Sequence, residues 1–411
     1  MRKILLSLTF ILIISSICNY AQNNVMVGAD VLIRENLDLI KGKKIGIVTN
    51  HTAVLNNGIH LVDTLYKIDG TNIIALYGPE HGIRGSAPAG EKISDEVDEK
   101  TNIPVYSLYG QTRKPTTEML KDVEVLIFDI QDVGARFYTY ISTLFYTIEA
   151  GVENNIPVII LDRPNPINGK YVDGPIREKE LTSFVGIAPI PITHGMTIGE
   201  LSEYFVGEKL IKKTDAANLT VIKMQNWNRN LFFDECDLKW LPPSPNIPDL
   251  ETAIVYPGTC LIEGVNVSEG RGTMKPFLTI GAPYIISSEL ISELKSLNID
   301  GISIAPAAFT PIDIKEMASN PKYKGIECYG ISISVTDRKK FESVKFGIKL
   351  VYALKKLYKE FEFRESSFER LSGSKELLKQ IKAGIQPDDI FKSWKSGLDN
   401  FIKTREKYLI Y

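Results

Sequence analysis

Val123-Glu-Val-Leu-Ile-Phe-Asp-Ile130 runs into Gln131-Asp-Val-Gly-Ala-Arg-Phe-Tyr138, and then into apolar positions at Ile141, Leu144, Phe145, Ile148 and Val152. The first string is a short, apolar, β-branched run and reads as a buried strand. The second is polar and glycine-punctuated, so it reads as a loop. The third recurs at the spacing that builds one apolar stripe, which predicts a helix over Ile141–Asn154. Outward from this unit the pattern repeats. Further strands are expected at Ile45–Thr49, Ile73–Tyr77, Pro157–Leu161 and Leu219–Lys223, with helices at Ile59–Ile68 and Ile198–Leu210. Strands that are apolar throughout and alternate with helices imply an α/β fold, a parallel sheet covered on both faces.

Four polar segments follow four of these strands: Thr49-Asn50-His51-Thr52, Gly78-Pro-Glu80-His81-Gly-Ile-Arg84-Gly85, Gln131–Tyr138 and Asp162-Arg163-Pro-Asn165-Pro166. Parallel strands point one way, so these loops emerge along one edge, where open α/β sheets bind ligands. The segment at 78–85 is the most telling. It holds a carboxylate, an imidazole and a guanidinium among glycines and a proline, with little to pack into a core. Loops of that kind on a rigid scaffold carry catalytic groups.

Four prolines within Trp240–Pro248 interrupt any regular element and mark a domain boundary. The expected units are 25–250 and a smaller one at 251–411. The second mixes short strands, such as Gly330–Val335, with amphipathic helices. One stripe runs Val344, Ile348, Val351, Leu354 and Tyr358. Another runs Ile390, Trp394, Leu398 and Phe401 behind a cap at Asp388.

Among the 411 residues, 48 Lys and Arg balance 50 Asp and Glu, which gives no reason to expect a nucleic-acid partner. Met1-Arg2-Lys3 followed by apolar Ile4–Ile17 reads as a secretory leader ending near Ala21, too short for a comfortable membrane span. The expectation is an exported periplasmic or extracellular protein with no membrane attachment after cleavage; lipid anchoring through Cys18 is the lesser alternative. Cys236, Cys260 and Cys328 cannot all pair, and no C-x-x-C spacing suggests zinc, so isolated buried thiols are expected.

The chemistry available is acid–base. Glu80, at a strand end between Pro79 and His81, suits a general acid; bracing of the loop by Arg84 or Arg136 is the competing reading. Hydrolysis of a glycosidic bond takes two carboxyl groups, or one with help from the substrate's acetamido oxygen. Asp132, Asp162, Glu263 and Glu269 are the candidates for the second. No phosphate-cradling glycine loop and no Gly-x-Ser-x-Gly elbow is present, and Ser372-Gly-Ser-Lys375 reads as a helix cap. A metal site from His51, His81, Asp129 and Asp132 is a rival without helical ligand spacing, so no metal or other cofactor is expected. Tyr77, Tyr106, Tyr109, Phe137, Tyr138 and Tyr140 thread the same loops, and such rings suit the apolar face of a sugar.

Several strings together resemble the exo-β-N-acetylmuramidase family of bacterial glycosidases. They include Gly42–Thr52, Leu76–Gly85, Val105-Tyr-Ser-Leu-Tyr-Gly-Gln-Thr-Arg-Lys-Pro115, Phe128–Tyr140, Leu161–Pro166, Pro242-Pro-Ser-Pro-Asn246 and Tyr256-Pro-Gly-Thr-Cys260. The resemblance implies a Rossmann-like catalytic domain followed by a smaller α+β C-terminal domain. It implies release of N-acetylmuramic acid from the non-reducing end of peptidoglycan fragments, with peptidoglycan-derived muramic acid glycosides as partners. It maps the family's glutamate onto Glu80. Beside it, His81 is expected to tune or orient that carboxyl, and Asp132 or Glu269 to stabilise the oxocarbenium-like state or position the acetamido group. The sugar-binding set is then Asn50, His51, Arg84, Arg136, Tyr138, Asn165, His194, Asn246, Glu263 and Arg271. Muramic acid carries a lactyl carboxylate, and an arginine fork recognises carboxylates. Arg84, Arg136, Arg163 and Arg271 are the candidates, Arg136 favoured by its aromatic neighbours. A non-catalytic wall-binding protein and a metal-dependent hydrolase are the rival readings.

Overall fold

The computed structural model describes residues 24–80, 82–85, 96–213, 215 and 217–411; the expected leader, Cys18 and His81 lie outside the described residues. Seven strands form the main sheet: β1 (Lys44–Thr49), β2 (Asn72–Gly78), β3 (Glu96–Val97), β4 (Pro104–Ser107), β5 (Val125–Asp129), β6 (Val158–Leu161) and β7 (Leu219–Ile222). Their order is β3-β4-β2-β1-β5-β6-β7. Each pairing is parallel except that of the two-residue β3 with β4.

Successive side chains on a strand point to opposite faces, and here both faces are core. Ile45, Ile47, Leu76, Val125, Ile127 and Ile159 enter one apolar cluster, beneath α1 (Gly28–Glu35) and α2 (Leu61–Leu65). Val48, Ala75, Tyr77, Leu126, Phe128 and Ile160 enter the other, beneath α3 (Tyr140–Asn154) and α4 (Ile198–Gly207). This is why these strands read as unbroken apolar runs. Helix α2 is shorter than the stretch expected at Ile59–Ile68. His60 caps it, its Nδ1 accepting from Val62 N at 3.3 Å while Nε2 meets the Asn50 carbonyl at 2.8 Å.

Strand β1 lies between β2 and β5, so the chain leaves it toward both sides of the sheet. Registers Val48↔Tyr77 and Thr49↔Asp129 bring the loops after β1, β2 and β5 to a common crevice at the carboxyl edge.

The remainder opens with α5 (Leu250–Thr259) and holds an antiparallel sheet ordered β8-β10-β9: β8 (Thr279–Ala282), β9 (Ile302–Phe309) and β10 (Cys328–Val335). Helices α6 (Ser287–Ser296), α7 (Ser343–Leu357), α8 (Glu365–Ser372), α9 (Lys375–Lys382), α10 (Pro387–Ser393) and α11 (Lys395–Arg405) complete it. Ser374 caps α9 by accepting from Leu377 N at 3.2 Å, as its sequence context suggested. The stripe from Ile390 to Phe401 is not one helix. It breaks at Trp394, and Gln386, not Asp388, precedes the first part, with Pro387 at its start.

Helix α5 carries Pro257-Gly258 inside it, and Gly258 is required by packing. A Cβ there would lie 1.8 Å from the Ser343 carbonyl oxygen, and Gly347 of α7 faces Gly258 as closely. The two helices therefore cross backbone to backbone, which fixes the short helical turn Cys260–Gly264 that follows α5. Cys236, Cys260 and Cys328 are free and buried. Among the described residues no helix is long and apolar enough to cross a membrane.

Candidate active site

Gly78 at the end of β2 pairs in register with Ser107 at the end of β4. Glu80 and Tyr109 each lie two residues beyond, so they leave the sheet side by side. The Tyr109 hydroxyl is hydrogen-bonded to the Glu80 carboxylate. Burial, then the charge of Glu80, pushes this phenol up to about 12, so near neutral pH it keeps its proton and is the donor to Glu80. Ser107 Oγ accepts from Tyr109 N at 3.3 Å and steadies the turn.

The loop after β5 supplies the next wall. Tyr138 packs edge-on to Tyr140 at 4.9 Å and to Tyr256 of α5 at 6.0 Å, while Phe137 meets Tyr256 at 5.3 Å. Tyr140 donates to the Pro243 carbonyl at 2.8 Å, tying this wall to the proline-rich segment. Burial raises all three tyrosines well above their ordinary value, so they act as neutral surfaces and donors.

The opposite wall is built by the C-terminal unit. Arg271 donates to Glu263 Oε1 from Nε at 3.0 Å and from a terminal nitrogen at 2.8 Å, and stacks over Phe277 at 5.2 Å. Burial alone would lower the pKa of Arg271, but the charges of Glu263 and Glu269 outweigh it and hold the guanidinium protonated. Glu269 is buried behind it, 3.6 Å from Arg271 and 3.0 Å from Lys322. Between the walls lies a cleft of about 150 Å³, bordered by Glu80, Tyr138, Tyr140, Tyr256, Glu263 and Arg271.

Four of the residues expected from sequence thus share the cleft: Glu80, Tyr138, Glu263 and Arg271. The others are placed differently. Asp132 is buried beneath the tyrosines, its Oδ2 accepting from Gly134 N at 2.7 Å, and burial raises it to about 7 against those backbone donors. Asn50 Oδ1 accepts from Thr52 N and Oγ1 at 3.0 and 2.6 Å, and its side chain lies beside the Tyr140 hydroxyl. His51 Nε2 meets the Pro242 carbonyl at 2.8 Å, and Gly85, at φ +76°, gives the ring its room.

Arg84 is clamped by Asp98 at 2.9 Å and Asp63 at 2.7 Å. Arg163 is paired with Asp129 at 2.5 Å in the interior. Arg136, the favoured carboxylate receiver, is corrected by the structure. It is 1% exposed and donates to the backbone carbonyls of Pro175, Ile190 and Leu371 at 3.0, 2.8 and 2.8 Å. Its aromatic neighbours are core, and burial lowers it to about 9.

Asn165 donates to Met196 O at 3.0 Å and accepts from Ile167 N at 3.2 Å; Asn246 donates to Met317 O at 2.7 Å. His194 is fully buried, accepts from Met196 N at 3.1 Å, and is lowered to about 3 by burial and then by Arg405 and Arg136. These three fasten loops together beneath the crevice. Asp162 is likewise internal, accepting from Tyr411, Thr197 and Gly199. Among the described residues no group of three or more His, Cys, Asp or Glu converges as metal ligands.

Sequence reasoning named Tyr109 only among rings suited to a sugar face, not as the partner of Glu80, and did not assign Tyr256 to the site. Tyr109 lay in a string already singled out, but its partnership with Glu80 depends on β4, a four-residue strand begun by Pro104 and not expected. Tyr256 belongs to a string with Pro257-Gly258, which does not read as helix; only contact with α7 makes it one.

The sequence model for "Exo-beta-N-acetylmuramidase NamZ, N-terminal" matches residues 45–251, and that for the C-terminal part matches 254–411. The chain is similar to the peptidoglycan beta-N-acetylmuramidase NamZ of Bacillus subtilis strain 168, with 49% identity over 94% of this chain and 91% of that protein. Two crystal structures of DUF1343 family proteins from Bacteroides fragilis also match. Both are 34% identical and cover 94% of this chain and 99% of theirs, with TM-scores of 0.86 and 0.78.

Proposed function

The chain belongs to the exo-β-N-acetylmuramidase family, and from that premise we propose how its cleft releases N-acetylmuramic acid from the non-reducing end of peptidoglycan fragments. It is a glycoside hydrolase. The observation that carries the site assignment is the pairing, across one aromatic-walled cleft, of Glu80 on the sheet edge with Glu263 on the C-terminal wall.

Glu80 is the general acid. Its proton passes to the bridging oxygen as the bond from that oxygen to the anomeric carbon breaks; water then supplies the hydroxyl that completes the sugar, and its remaining proton restores Glu80. The Tyr109 donor fixes which carboxyl oxygen faces the substrate. Glu263, which accepts two hydrogen bonds from Arg271, faces the positive charge that develops on the ring. Tyr138, Tyr140 and Tyr256 give the sugar an apolar surface. Asp132 and Glu269 act from beneath the walls: Asp132 sets the loop that carries Tyr138, and Glu269 holds Arg271 and Lys322. An exo enzyme needs a pocket closed at one end, and the Glu263–Gly272 segment supports that reading by standing opposite the sheet edge.

Export belongs to the same proposal. Met1-Arg2-Lys3 with the apolar stretch Ile4–Ile17 supports action outside the cytoplasm, where the polymer lies. N-terminal sequencing of protein from a periplasmic or culture fraction tests it; an intact Met1 in the cytosol would refute it.

The decisive test is turnover of a chromogenic muramide by wild type and by Glu80→Gln. The amide keeps the shape and removes the acid, so the rate falls by about 100-fold or more. Equal rates would refute the role of Glu80. Binding without turnover in wild type would favour a wall-binding protein instead.

A further inference from the structure

The sugar released from this cleft differs from its neighbour in the polymer by a lactyl ether carboxylate, and selection between them needs a cation. The arginines considered from sequence are all held by the protein. Arg84 and Arg163 are in ion pairs, Arg136 is spent on backbone carbonyls, and Arg271 is neutralised between two glutamates. Lining charge is therefore no help: Glu80 and Glu263 outnumber Arg271.

Arg113 stands apart from these four. It lies in Gly110-Gln-Thr-Arg113-Lys-Pro115, a string singled out from sequence that the catalytic assignment leaves unused. Its guanidinium is stacked 4.5 Å over the Phe184 ring, and Phe184 stacks in turn on Tyr146 at 6.3 Å and 11°. Among the described residues it makes no hydrogen bond or ion pair. The next residue in the chain, Val185, lines the cleft, and the Phe184 carbonyl is held by Ser142 Oγ at 2.7 Å. On the other side Lys114 reaches Glu149 at 3.1 Å and Glu153 at 2.8 Å on α3, pinning the segment. The charge of Arg113 is felt at the Tyr109 hydroxyl, which is itself bonded to Glu80. A planar cation with its donors uncommitted among the described residues thus stands on Phe184, whose neighbour Val185 lines the cleft, and its charge reaches the tyrosine bonded to the acid.

We propose that Arg113 is the specificity residue of this enzyme, donating from its guanidinium fork to the lactyl carboxylate of the terminal sugar while Phe184 holds the plane. The inference rests on the glycosidase reading above. An arginine presented flat on an aromatic ring loses little freedom when it binds, and its fork matches a carboxylate in a way an ammonium does not.

The test compares a chromogenic N-acetylmuramide with its lactyl methyl ester, which keeps the shape and removes the charge. Wild type should prefer the free acid by about 10- to 100-fold in kcat/KM, mostly through KM. Arg113→Gln should abolish that preference by slowing the acid alone, with the ester rate and the thermal midpoint unchanged, because the side chain is exposed. Arg113→Lys should restore part of it. An unchanged preference in Arg113→Gln, or an equal loss on both substrates, overturns the assignment. Wild type inactive on both would instead overturn the glycosidase reading itself.

Discussion

Replacing Asp132 by asparagine should make the protein more stable near pH 8 and leave it nearly unchanged near pH 4. Asp132 is 5% exposed, Oδ2 accepts from Gly134 N at 2.7 Å, and Oδ1 is buried with no hydrogen-bond partner among the described residues. Burial raises the carboxyl to about 7 even though the Gly134 and Val133 amides favour the anion. In the unfolded chain the same group titrates near an ordinary aspartate value of about 3.9. Between those two values the folded state holds a proton that the unfolded state has released, so stability falls as pH rises. It is fully present below about pH 4 and lost by about pH 7, and the three-unit difference corresponds to ~4 kcal/mol. Asparagine accepts from Gly134 through its carbonyl and does not ionise, so it removes this dependence. Urea unfolding of wild type and Asp132→Asn at half-unit intervals from pH 4 to pH 8.5 measures it. The two midpoints should diverge with rising pH, the variant being the more stable. Parallel curves, or a variant that loses stability at pH 8, would refute the assignment of Asp132 as a buried, raised carboxyl.

Tyr109→Phe removes the donor to Glu80 while keeping the ring, and should lower kcat on a muramide by about tenfold with KM nearly unchanged. A fall in KM-governed binding instead would assign Tyr109 to the sugar. Gly258→Ala places a methyl 1.8 Å from the Ser343 carbonyl, so α5 and α7 must part. A loss of ~3 kcal/mol is expected in thermal or urea unfolding, with activity falling because Tyr256 and Glu263 ride on α5 and the turn after it; wild-type stability would refute that crossing.

The parallel core of the main sheet was legible because its chemistry is local. A strand buried on both faces is apolar along its interior, and Ile45–Val48, Ile73–Tyr77 and Val125–Phe128 satisfy that without reference to anything distant. Strand β4 was not legible, since four residues beginning with proline carry too little pattern and owe their pairing to β2. The stripe through Trp394 misled in the opposite way: its spacing fits one helix, and the break at Trp394 is visible only in the folded chain.

What the amino-acid order determined by itself was the parallel sheet, the edge on which its loops gather, and the place of Glu80, the proposed acid, among them. These follow from periodicity and from backbone punctuation, which act within a few residues. Which arginine is buried, which is paired and which is left for a ligand was decided only by tertiary structure. Arg136 is closed off in part by Leu371, 235 residues away, whereas Arg113 is left open beside Phe184. A charged side chain takes its function from the partners that other segments bring to it, and those partners are assembled only by folding.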